Sequence, residues 1–198
     1  MHWKYADLLG PCLLTSVLAA CGTPTDYFYT LSSEASERSS ISETAFPSIV
    51  VGPVTLPEVV DRPQIVTRVG TNQVYVAEQH RWAASLKSEI PRVIAQNLSN
   101  LLGTQLVFSY EDGGAPRPEI QVTIDVERFD AMLGQTVMID SLWTIRSAGG
   151  KPALGRTVMR ETIGGNGYDA LVSAHSRALA ALSQQIAEAI RLGKTTRP

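Results

Sequence analysis

Cysteine and histidine are scarce: the 198 residues hold two Cys and three His. Two thiols, Cys12 and Cys21, cannot form the disulfide framework of a small secreted scaffold. The histidines show no metal-ligand spacing such as H-E-x-x-H, and neither a G-x-S-x-G elbow nor a Walker A string occurs. Hydrolase and metalloenzyme chemistry therefore lacks its usual residues, and the expectation is no catalytic site, no metal and no cofactor. Charge of one sign is also lacking. Seventeen Lys and Arg against nineteen Asp and Glu leave a net charge of −2 and an isoelectric point near 5.9. That argues against a nucleic-acid partner, which would call for a basic footprint. Long hydrophobic runs are reduced to one, at the N-terminus, and the mean hydropathy of +0.01 excludes a polytopic membrane protein. What remains is ordinary globular usage, 44% hydrophobic and 18% charged, at a length that suits one domain.

The single run, Leu8 to Ala20, is thirteen residues closed by small side chains. A bilayer span needs about 20, so the segment reads as a signal peptide over residues 1–20. Leu18-Ala19-Ala20-Cys21 has the form of a bacterial lipobox, which makes Cys21 the lipidation site and the first residue of the mature chain. An ordinary buried Cys is the competing reading. Cys12 would leave with the signal, so the mature chain would hold no other thiol. Gly22 stands where an Asp would resemble an inner-membrane retention signal, and outer-membrane sorting is expected. Residues 21–26 then form a lipid-anchored tether, 27–192 one domain and 193–198 a C-terminal tail.

Within the domain, Tyr27 to Leu31 is β-rich, and Ser32 to Thr44 has loop composition. Ser48 to Leu56 resembles a buried strand; Gln64 to Val69 and Gln73 to Glu78 make a hairpin about Gly70-Thr71-Asn72. From Trp82 the period becomes helical, with Trp82, Leu86, Ile90, Val93, Ile94, Leu98, Leu101 and Leu102 on one stripe, a kink or restart expected at Pro91, and a C-cap at Gly103. Gln105 to Ser109 is a short strand, followed by a Gly/Pro loop over 111–118. Ile120, Val122, Ile124 and Val126 alternate with polar residues, and Val137, Ile139, Trp143 and Ile145 repeat the pattern. With Leu154 to Ile163 they predict an antiparallel meander. A last helix over Tyr168 to Leu192 carries Leu171, His175, Leu179, Leu182, Ile186 and Ile190 on one face. The expected fold is α/β, a layered sandwich of a mixed, largely antiparallel sheet covered by two long amphipathic helices.

His2 falls in the signal, His80 stands beside the expected helix start, and His175 shares an apolar stripe, which suits a hydrogen-bonded core residue better than a base. Gly165-Asn166-Gly167-Tyr168-Asp169-Ala170 mimics a dinucleotide fingerprint, but the acidic residue some twenty positions on, Glu188, lies within the helix rather than on a second strand. The glycines then serve a turn and Asp169 the first turn of the helix, where its charge meets the helix dipole favourably.

Three stretches carry a family resemblance: Tyr29-Thr30-Leu31, the segment from Leu56 to Arg68, and His80-Arg81-Trp82-Ala83. Together they resemble the ABC-type transport auxiliary lipoproteins of the PqiC type, over essentially Cys21 to Leu192. The resemblance implies an α/β sandwich in an outer-membrane lipoprotein. It also implies an MCE-domain periplasmic partner and an inner-membrane transport component, with lipid movement and envelope integrity as the role. From the residues themselves, Pro57 and Pro63 stiffen a segment whose Asp61, Arg62, Gln64 and Arg68 offer charged and bidentate groups, and Arg81 and Trp82 stand nearby in the pattern. These six are candidates for a partner or homo-oligomer interface. For Asp61, Arg62, Gln64 and Arg68 the equal alternative is a solvated turn and strand face, while Trp82 reads more readily as a core anchor of its helix than as a partner contact. The competing functions are a carrier of hydrophobic ligands, an envelope enzyme using His80 or His175, and another envelope-assembly lipoprotein of LptE-like or curli-secretion-like kind.

Overall fold

A computed structural model of the protein describes residues 25–34, 47–112 and 118–195. The signal segment, Cys21 and most of the two expected loops lie outside these residues. The elements run β1 (Tyr27–Tyr29), β2 (Ile49–Thr55), β3 (Gln64–Arg68), β4 (Val74–Trp82), α1 (Leu86–Leu102), β5 (Val107–Ser109), a 3-10 turn (Tyr110–Asp112), β6 (Ile120–Met132), β7 (Thr136–Ser147), β8 (Ala153–Thr162) and α2 (Gly167–Thr195). The fold is α/β, as expected, but the strands form two mixed sheets rather than one. The larger has the order β5-β2-β6-β7-β8, and the smaller β1-β4-β3.

The meander expected from the alternation is β6-β7-β8, antiparallel throughout. On the other side of β6, β2 pairs parallel with both β6 and β5, and β1 pairs parallel with β4. Three of the six pairings among the described residues are thus parallel. A one-residue slip in β6 between Val126 and Arg128 changes which residues face inward. Phe129 and Ala131 are buried after it, as Ile120, Val122, Ile124 and Val126 are before it. Both helices cover the same face of the larger sheet: α1 packs on β2 and β5, and α2 on β7, β8 and α1. The core forms there from Ile49, Val51, Ile139, Ile90, Ile94, Leu98, Leu179, Leu182 and Ile186, all essentially inaccessible to solvent. No helix of the described residues is long and apolar enough to cross a membrane.

Trp82 does not open a helix. Its N–H donates to Pro63 O at 2.7 Å, and the next N–H, of Ala83, donates to Tyr29 O at 2.7 Å, so the backbone here is spent on β3 and β1. The helix begins after Ser85, whose Oγ accepts from the Lys87 N–H at 3.2 Å. It continues through Pro91 without a restart and closes at Gly103, whose φ of 64° lets its N–H reach Ser99 O. Trp82 matched the helical stripe because it enters the same core from the strand just before. The last helix also departs from expectation, running on from Leu192 to Thr195.

The chain after β1 is fastened across the helices. Leu31 is buried, and Glu89 of α1 accepts from Thr30 Oγ1 at 2.6 Å and from the Leu31 N–H at 3.0 Å. Arg92 donates to both Leu31 O and Glu89. The Ser32 N–H donates to Ser176 Oγ, and Ser33 Oγ to Asn97 Oδ1, so the segment meets both α1 and α2.

Candidate docking surface

The segment between Pro57 and Pro63 is a folded turn. Val60 and Asp61 N–H groups both reach Pro57 O, at 3.0 and 3.2 Å, and the buried Val60 side chain pins it to the core. Asp61 is drawn toward α1, its Oδ2 lying 2.6 Å from Lys87 Nζ. Arg62 is exposed, and no ion pair among the described residues includes it. With Asp61 and Pro63 it lines a recess of about 360 Å³, whose other wall is the crossover from Trp82 to Leu86.

The other expected residues divide. Gln64 reaches Glu78 Oε2 at 3.3 Å, and Arg81 Nε donates to Glu78 O at 3.0 Å with the Asp26 carboxylate 3.9 Å away. Arg68 points to the other sheet: its Nε lies 2.9 Å from Asp130 Oδ2, a carboxylate also held by Arg128 at 2.7 Å. Arg68 is therefore a link between β3 and β6, not a free docking group. Trp82 is 5% exposed and meets Phe129 and His175 edge-on, with centroids 6.2 and 6.4 Å away, so it belongs to the core and only closes the recess. The structure thus brings Asp61, Arg62 and the edge of Trp82 to one recess and Gln64 and Arg81 to the adjoining strands, and assigns Arg68 elsewhere.

The two described histidines have different surroundings. His175 is buried and stacked on Phe129 at 4.0 Å with rings 5° from parallel. Burial pushes its imidazole down to about 3, with the Asp130 charge opposing only in part. Its Nδ1 has no hydrogen-bond partner among the described residues. His80 bulges from β4, where the pairing with β3 jumps between Gln64 opposite Arg81 and Ile65 opposite Ala77. It stacks on Tyr168 at 3.9 Å and Tyr27 at 5.2 Å, and its Nδ1 lies 2.7 Å from the Tyr29 hydroxyl. Burial raises the Tyr29 and Tyr168 hydroxyls above the ordinary phenol range. No group of three potential metal ligands occurs among the described residues. The glycine string opens α2 directly after β8, an edge strand antiparallel to β7, so no parallel βαβ unit surrounds it.

A model of the ABC-type transport auxiliary lipoprotein component family matches residues 29–187. The chain belongs to that family. No curated protein sequence matches it. Among solved structures, an uncharacterized protein is similar at a TM-score of 0.68 and 20% identity, covering 84% of this chain and 99% of its own. A protein from Xanthomonas campestris aligns at a TM-score of 0.69 and 14% identity, covering 85% and 97%. At such identities the likeness speaks for the fold alone.

Two surfaces of this auxiliary lipoprotein escaped the sequence reading. The helix-free face of the larger sheet carries a groove of about 700 Å³ lined by Pro53, Thr55, Thr123, Asp125, Leu142 and Leu154 among others. Its signal was available, since Leu142, Leu154 and Val158 fall on outward positions of alternating strands and are 44%, 76% and 50% exposed. The second surface is β1 itself, whose Tyr27 and Phe28 remain exposed although their strand is paired.

Proposed function

We propose that this auxiliary lipoprotein is a non-enzymatic subunit of an ABC-type lipid transport system. A lipidated Cys21 anchors residues 21–26 and the domain from residue 27 to the outer membrane. The recess beside Arg62 docks the periplasmic MCE-domain component, which an inner-membrane component serves. The observation that carries the reading is Arg62, exposed and without an ion pair among the described residues, in the lining of a recess formed by the two family-like segments. An arginine so placed offers an oriented fork to a carboxylate on a partner, and truncating such a contact costs about 2 kcal/mol or more when it is a hot spot. Arg62→Glu should fold as the parent does and recover less MCE-domain partner from solubilised membranes; undiminished recovery refutes the docking site. Cys21→Ser should no longer take up fatty acid or pellet with membranes, and retention of both refutes the anchor.

A second reading, carriage of a hydrophobic ligand, is favoured by the groove on the helix-free face. Lipid that co-purifies with the parent and is lost from Leu142→Glu would replace the docking reading with this one.

A further inference from the structure

We infer that the β1 edge of the smaller sheet, through Tyr27 and Phe28, seats on the bilayer surface to which the chain is tethered. The inference rests on the proposed lipidation of Cys21. Five residues, 22–26, separate that cysteine from Tyr27. At about 3.5 Å per residue the chain cannot extend this connection beyond roughly 20 Å, so β1 is confined to the neighbourhood of the headgroups.

What stands at that point suits them. Tyr27 and Phe28 are 52% and 63% exposed. As neighbours on a strand they point to opposite faces, so a surface that approaches the sheet edge-on meets both. Among the described residues β1 pairs only with β4, and no described strand lies along its other edge. The Tyr27 ring lies nearly parallel to His80, at 12°, and His80 stacks in turn on Tyr168. This stack holds Tyr27 in place, so little ordering is left to pay on contact. On the other face Phe28 is level with Arg81. Aromatic rings with polar groups beside them prefer the boundary between acyl chains and water, and a guanidinium can donate to lipid phosphates. A second copy is the weaker occupant, because three residues of edge strand offer few backbone hydrogen bonds for strand addition.

The test uses the full-length acylated protein reconstituted in phosphatidylcholine vesicles, with and without bromine on the acyl chains. Phe28→Trp places a reporter at the seat, and Leu154→Trp places one at the start of β8, an edge strand of the larger sheet, on an exposed position. Both are compared with the parent, whose Trp82 and Trp143 are buried. Phe28→Trp should show blue-shifted emission and lose intensity with brominated lipid, while Leu154→Trp stays red and unquenched. Tyr27→Trp serves as the reporter if Phe28→Trp does not fold. A preparation that floats with the vesicles and carries fatty acid but shows no quenching at position 28 or 27, or equal quenching at 154, overturns the seat and leaves the anchor standing. A preparation that neither floats nor carries fatty acid removes the anchor, and the seat with it.

Discussion

Acid should weaken this protein through His175. Buried against Phe129 and edge-on to Trp82, the ring is held neutral, with its pKa lowered to about 3 from the ordinary 6.5. The folded value lies below the unfolded one, so the unfolded chain takes up a proton first as pH falls. Stability from this group is complete above pH 6.5 and declines on acidification until pH approaches about 3. At about 1.4 kcal/mol per pH unit, the loss between about pH 7 and 5 is roughly 2 kcal/mol. For a domain of this size that is a fall of about 4–8 °C in Tm. Three charged groups bear on the comparison: Asp130 acts on the ring directly, and Arg68 and Arg128 pair with Asp130. All three remain in His175→Leu, as does His80. That variant removes the titration and the partnerless Nδ1 together. Thermal melts followed by circular dichroism across this pH range should show the parent falling by that amount more than His175→Leu. Parallel declines in the two proteins would refute the argument, as would a flat profile in the parent.

Two further outcomes follow from the packing. Gly155 lies under Trp143, where an added Cβ would come within 2.0 Å of the indole. That indole donates to Thr157 Oγ1, which donates to Gln185 on α2, so Gly155→Ala should cost about 1–3 kcal/mol by forcing the ring off these partners; an unchanged denaturant midpoint would count against this. Glu89→Ala strips the acceptor from Thr30 and Leu31, and the lost buried hydrogen bonds should cost about 1–3 kcal/mol. Amide exchange should then accelerate at Leu31 more than at Leu98, and equal protection of Leu31 in both proteins would show that the strap does not depend on this carboxylate.

Local signals determined much of the fold. The alternation from Ile120 to Val126 and from Val137 to Ile145 named the buried face of the meander, because a strand turns successive side chains to opposite faces whatever its neighbours. Gly103 closed α1 because the left-handed cap needs no Cβ, and the stripe from Leu171 to Ile190 placed His175 inside. The segment containing Asp61 and Arg62 was likewise marked by its own prolines and charges. Pairing between distant segments was decided only in three dimensions. Trp82 fits both a helical stripe and a strand end, and the choice fell to the hydrogen bonds that the Trp82 and Ala83 N–H groups donate to Pro63 O and Tyr29 O, 19 and 54 residues away in the chain. The split into two sheets, the slip at Val126 that turns Phe129 inward, and the capture of Arg68 by Asp130 have the same origin. Each depends on which backbone or charge arrives opposite, and a one-residue change of register reverses the facing of every side chain beyond it.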